Sequence, residues 1–184
     1  IALMVTDKDG IRPVPLFNKV LGLAINLLRS VPFLILMIMV IPFTRLVVGK
    51  IIGPNAAVVP LIIAAAPYIG RMVESSLKEV DAGVVEAAQS MGASTWQIIW
   101  KVLLPEAKPS LLVGAAISIT TILGYSAMAG AVGAGGLGDI AIRYGYHRYQ
   151  TDMMFVTVVL LVIIVQLIQE VFMRMSRKSD KRVR

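Results

Sequence analysis

Residues Asp81 to Pro105, DAGVVEAAQSMGASTWQIIWKVLLP, form a stretch that is too polar to cross a bilayer but lies between two apolar segments. Apolar side chains recur in it at spacings of three and four, the period of a helix with one apolar face. These positions are Val84, Ala88, Met91, Thr95 (through its methyl group), Ile98 and Val102. Gly92 interrupts the pattern, and Ser94 to Gln97 restarts it with a predicted capping box. The stretch is therefore predicted to form two short helices joined by a glycine turn at a membrane surface, with Pro105 closing the unit.

The same stretch resembles the EAA loop of permease subunits in bacterial ABC importers. The family pattern is EAA, three residues, Gly, nine residues and then I-x-L-P, and this chain departs from it only by Val102 in place of Ile. The matching residues are Glu86, Ala87, Ala88, Gly92, Leu104 and Pro105. The resemblance implies that residues 81–105 are cytoplasmic coupling helices that dock on an ATP-hydrolysing subunit.

Each residue type suits such docking. Ala87 and Ala88 are small enough to let a partner approach closely, and Glu86 offers a charge-assisted hydrogen bond. Gly92 permits a sharp turn. The alternative is an amphipathic linker that lies at the membrane interface without a partner.

The composition is that of an integral membrane protein. Hydrophobic residues make up 57% of the chain and charged residues 16%, whereas soluble domains average about 45–50% apolar and about 25% charged. The net charge of +7 is accounted for by cytoplasmic Lys and Arg rather than by nucleic-acid binding. The chain has no cysteine and a single histidine, His147, so thiol chemistry and a histidine-based metal cluster are excluded. We expect no cofactor.

Four apolar segments are predicted to be membrane spans, at residues 31–48, 56–73, 111–132 and 153–173. A fifth span, mostly missing, is expected to end at Val5, and residues 6–19 are expected to be a cytoplasmic loop. The glycine-rich run Gly133 to Gly138 is expected to make a bend at the outer surface. A basic tail follows the last span and predicts a cytoplasmic C-terminus. Its basic residues are Arg174, Arg177, Lys178, Lys181, Arg182 and Arg184.

Five further pieces resemble methionine-importer permeases, and the similarity extends over essentially the whole chain from Ile1 to Met173. They are Arg29 to Phe33, Ile41 to Arg45, Ala66 to Ile69, Tyr125 to Met128 and Gly130 to Tyr146. The resemblance implies one permease domain over residues 1–184, an all-α membrane protein with the type I ABC importer permease fold and about five transmembrane helices, in a bacterial inner membrane.

The same resemblance implies the partners and the substrate. The expected partners are a second copy of the chain, two ATP-binding subunits, a substrate-binding lipoprotein and the lipid bilayer. The expected substrate is methionine, in D and L forms. Because ATP hydrolysis belongs to the partner, the chain itself is not expected to be an enzyme. A permease for another amino acid or small organic solute is the alternative.

The span at residues 111–132 is expected to line the translocation path. Its hydroxyl groups stand among small residues, and polar groups in a span face the protein interior or an aqueous path. Tyr125, Ser126 and Met128 are the candidate path or gate residues, since a thioether substrate suits a soft, adaptable lining. The alternative for Met128 is that it fills a gap in packing.

Functions of other classes fit the sequence less well. An intramembrane enzyme would need an acid pair, a histidine or a Ser–Lys couple at depth, and the predicted spans hold no such set. A structural membrane protein or an ion channel would share the hydropathy but would not need the spacing of the EAA loop.

Overall fold

The computed structural model describes residues 13–179, and the regular elements within that range are all helical. In chain order the α-helices are α1 (Pro15–Ser30), α2 (Phe33–Met39), α3 (Ile41–Val48), α4 (Pro54–Lys78), α5 (Ala82–Ser90), α6 (Thr95–Ile98), α7 (Leu104–Ala129), α8 (Gly136–Ile140) and α9 (Thr151–Ser179). Two π-helical segments, Ile99–Leu103 and Ala141–Tyr146, follow α6 and α8, and a 3-10 turn, Gly130–Val132, follows α7. The predicted all-α fold is confirmed.

Within residues 13–179, three helical segments are long and apolar enough to cross a membrane: Pro54–Lys78, Thr95–Val132 and Thr151–Ser179. They contain the predicted spans at 56–73, 111–132 and 153–173, which are therefore confirmed as helices. The central segment includes α7, which packs against α4 and against α9.

The predicted span at residues 31–48 is wrong as a single helix. Val31 is extended (φ −81°, ψ 123°), as expected for a residue that precedes a proline, and α1 and α2 meet at an angle of 101°. A second interruption at Val40 separates α2 from α3. Pro42 accounts for it, because proline has no N–H for the carbonyl of residue 38 and its ring crowds that carbonyl. Together α1 and α2 have the length and composition of a broken span or a re-entrant loop, and this region of short helices is hereafter called the broken span.

The predicted loop at residues 6–19 is wrong from Pro15 onwards, whereas residues 13 and 14 lie outside the helices. Pro15 begins α1, a position at which a missing N–H costs nothing. Residues 6–12, the fifth span expected to end at Val5 and the basic residues Lys181, Arg182 and Arg184 lie outside the described residues.

The bend predicted at Gly133 to Gly138 exists and is tightly packed. A Cβ atom added to Gly138 would overlap the backbone of Ala127, and one added to Gly130 would overlap the backbone of Asp139. The Gly53 N–H donates to the Gly133 carbonyl at 3.1 Å, which ties the bend to the start of α4. Glycine is therefore required where α8 crosses the end of α7.

We predict that Gly138→Ala destabilises the folded protein by roughly 1–3 kcal/mol, the usual cost of forcing extra atoms into a packed site. The matched control is Gly70→Ala in α4, where a Cβ atom meets nothing within 4 Å. The measurement is the melting temperature of each purified variant in detergent. Equal melting temperatures for Gly138→Ala and the wild type would contradict the tight crossing.

Candidate coupling and translocation surfaces

The segment between α4 and α7 forms the two short helices that its sequence predicts. Asp81 caps α5, with its carboxylate accepting a hydrogen bond from the Gly83 N–H at 2.7 Å. Gly92 ends the helix in a left-handed conformation (φ +77°), and the Ala93 N–H returns to the Ala88 carbonyl at 3.1 Å. The segment is therefore held by local hydrogen bonds before any partner binds.

The predicted capping box at the start of α6 is also present. The Ser94 N–H donates to the Gln97 side chain at 2.8 Å, and the Gln97 N–H donates to the Ser94 hydroxyl at 3.4 Å. This reciprocal pair sets the direction in which the chain leaves the glycine turn.

One small apolar core fixes the coupling segment to the membrane helices. Ala88 of α5 packs in one buried cluster with Leu77 of α4 and with Ile98 and Leu103, which precede α7. The predicted apolar face is correct for Ala88 and Ile98 but wrong for Val84 and Met91, which are exposed. These two side chains point away from the buried cluster, because α4 and the residues leading into α7 already complete it.

The opposite side of α5 is open to a partner. Glu86 and Ala87 are exposed, and among the described residues no cation lies within ion-pair distance of the Glu86 carboxylate. A Cβ atom at Gly92 would meet nothing within 4 Å. Ala88, predicted to face a partner, instead faces the subunit's own core and is only 4% exposed.

Leu104 and Pro105 do not end the segment. Leu104 packs against the small core, and Pro105 lies in the first turn of α7, so the prediction that Pro105 closes the unit is wrong. Pro105 has no N–H to donate to the preceding turn, and the helix is locally π-helical directly before it. The π-helical residues Ile99–Leu103 join α6 to α7, and the helical path runs unbroken from Thr95 to Val132.

The three candidate path residues do not share one face of α7. The Tyr125 ring stacks on that of Phe33 in α2, with the ring centroids 4.7 Å apart and the planes 8° from parallel. Met128 is 48% exposed. Ser126 is also exposed, but at about 100° per residue it points about 160° away from Met128 around the helix. Tyr125 and Met128 therefore lie on neighbouring faces, and Ser126 lies on another.

A polar cluster between α1, α4 and α7 was not predicted as a site. Arg71 of α4 forms an ion pair with Glu74 (2.7 Å) and also donates to the Asn26 side chain of α1 at 3.1 Å. The Tyr68 and Thr121 hydroxyl oxygens are 3.3 Å apart across α4 and α7. The sequence signal that could have revealed this cluster is the presence of polar residues within apolar stretches.

The described residues hold no group of three acidic, histidine or cysteine side chains that could bind a metal. His147 is exposed in a turn.

The whole chain, residues 1–184, matches the family model described as "Binding-protein-dependent transport system inner membrane component". The chain is 53% identical to the probable D-methionine transport system permease protein MetI of Vibrio cholerae, over 99% of this chain and 81% of that protein. It is 44% identical to the methionine import system permease protein MetP of Bacillus subtilis, over 98% of this chain and 81% of that protein.

The structure is similar to a solved one described as an inward-facing conformation of the MetNI methionine ABC transporter. The TM-score is 0.95 at 48% sequence identity, over 98% of this chain and 83% of the other. The agreement extends through the broken span and the coupling segment, because the match covers nearly the whole chain.

We predict that Gly92→Val loosens the end of α5, because a β-branched residue held in the left-handed region is strained by about 1–2 kcal/mol. The matched control is Gly92→Asn, since asparagine tolerates this conformation. The measurement is amide hydrogen exchange over residues 86–93, which should quicken in the valine variant and stay near the wild type in the asparagine variant. Wild-type exchange in both variants would contradict the role assigned to the glycine turn.

Proposed function

This chain belongs to the family of binding-protein-dependent transport system inner membrane components, and from that premise we propose that it is the permease subunit of an ATP-driven importer of D- and L-methionine. The observation that carries the proposal is the similarity, along nearly the whole chain, to permeases named for methionine transport. The three long apolar helices and the broken span agree with a multi-pass membrane protein.

The coupling segment is the surface proposed for the ATP-hydrolysing partner. Glu86, Ala87 and Gly92 form its exposed side, and the small core beneath them packs the segment against α4 and against the residues that lead into α7. The matching residue Ala88 supports this surface from inside, and Leu104 and Pro105 carry it into α7. A partner that displaces the segment on binding ATP would therefore tilt α7 directly, and ATP hydrolysis belongs to that separate subunit, in two copies.

The translocation path is proposed to run between two copies of this chain, beside α7. Tyr125 and Met128 lie on neighbouring faces of that helix and are the candidates for the path or gate. Ser126 would contact the path only if the path passed the other side of α7. A substrate-binding lipoprotein at the outer surface completes the importer. Large parts of α9 expose apolar side chains, as expected for a helix that contacts lipid or a second copy.

The second candidate is a permease for another amino acid or small organic solute. The coupling segment is compatible with either substrate, because it contacts the ATPase and not the cargo. The names of the similar permeases favour methionine.

We predict that cells lacking their own methionine importer take up radiolabelled methionine when the full-length chain is produced with its ATPase and lipoprotein. Unlabelled D- and L-methionine should compete, whereas histidine and glutamine should not, because the substrate is recognised by its thioether side chain. Competition by another amino acid but not by methionine would favour the second candidate.

We also predict that the C-terminus is cytoplasmic, because the basic residues Arg174, Arg177 and Lys178 follow the last span. The chain has no cysteine, so a single cysteine can be placed at Ser179 or at His147. An impermeant thiol reagent applied to intact spheroplasts should label the cysteine at 147 and not the one at 179. Labelling of both would contradict this orientation.

A further inference from the structure

Side chains from three helices meet where α1 ends. The guanidinium carbon of Arg29 lies 5.9 Å from the centre of the Tyr68 ring, and the Tyr68 hydroxyl oxygen is 3.3 Å from that of Thr121. The Thr121 hydroxyl oxygen also lies 2.9 Å from the Ile117 carbonyl oxygen. The single Thr121 proton serves the shorter bond, to the Ile117 carbonyl, so the Tyr68 hydroxyl can donate either to Thr121 or to another acceptor.

This cluster lies in the inner part of a span. Tyr68 stands five residues before the end of the predicted span at residue 73, which is about 7 Å at 1.5 Å per residue. Arg29 lies beside it, in the last turn of α1 before the 101° bend.

The charge of Arg29 is not neutralised by the described part of the chain. Among residues 13–179 no carboxylate lies within ion-pair distance of its guanidinium. Glu74, the buried acid of the same region, is held by Arg71 at 2.7 Å and by Lys78 at 3.1 Å. A cation at this depth is costly unless it faces water or an anion, and Arg29 is exposed on the surface of the single subunit.

We propose that Arg29 and Tyr68 bind the α-carboxylate of the amino-acid substrate during its passage, with Thr121 orienting the Tyr68 hydroxyl. Arg29 supplies a charge-assisted hydrogen bond and Tyr68 a neutral one. Met128 lies seven residues after Thr121, on the same face of α7 and about 10 Å along it, where it would face the substrate's side chain. This inference rests on the proposed function and adds to it a site for the charged end of the cargo.

The test uses the complete transporter in proteoliposomes, with lipoprotein loaded with methionine, and measures methionine imported per ATP hydrolysed. Arg29→Gln should lower this ratio about tenfold or more, the effect of losing one charge-assisted bond, and Arg29→Lys should recover part of it. The matched control is Arg148→Gln, because Arg148 stacks in the same way on Tyr144, at 4.8 Å, in a turn outside the long apolar helices. It should leave the ratio unchanged.

Each contrary outcome has a separate meaning. No methionine import by the wild type would overturn the proposed function, whereas a wild-type ratio in Arg29→Gln would overturn only the carboxylate site. If Arg29 binds a lipid phosphate or an acid of the second copy, import and hydrolysis should fall together and the ratio should stay constant, which also overturns the site. If the Arg29→Gln transporter does not assemble, the test uses Arg29→Lys and Tyr68→Phe instead. Wild-type ratios of import to hydrolysis in both variants would overturn the carboxylate site.

Discussion

Leu77, Ala88, Ile98 and Leu103 pack into one small core, and this packing determines what the coupling segment can do. Without it, α5 would be a nine-residue helix, too short to be stable in water by itself. With it, α5 moves together with the end of α4 and the start of α7. The exposed side of α5 can then be shaped for a partner, because the buried side already supplies its stability.

The membrane imposes the second constraint. Backbone groups in lipid must be satisfied internally, so the breaks at Val31 and Val40 have to be covered by neighbouring protein. Phe33 of the broken span packs against Tyr125 of α7, and Arg71 of α4 binds the side chain of Asn26 in α1. Arg29 lies close to these contacts, with its guanidinium over the Tyr68 ring of α4, so the proposed carboxylate site lies next to the broken span.

The sequence alone predicted what local chemistry decides. The capping box at Ser94, the turn at Gly92 and the three long spans each follow from a few neighbouring residues, and the spacing of the EAA loop indicated the family. The inward direction of Ala88 could not be predicted, because it depends on Leu77 from another helix. The breaks beside Pro32 and Pro42 could have been predicted from proline geometry. The contact between Arg29 and Tyr68 joins residues far apart in the chain, and no local sequence pattern predicts it.

The central claim is that the exposed side of α5 docks the ATPase. It is tested most directly by the dissociation constant of the ATPase subunit for the purified permease, with Glu86→Ala compared against Glu170→Ala. Glu170 is a suitable control because it is exposed but already paired with Arg174, at 2.6 Å, within its own helix. Loss of a charged hydrogen bond costs roughly 1.5–3 kcal/mol, so Glu86→Ala should raise the dissociation constant about tenfold or more, and Glu170→Ala should leave it unchanged. An unchanged dissociation constant for Glu86→Ala would contradict the account.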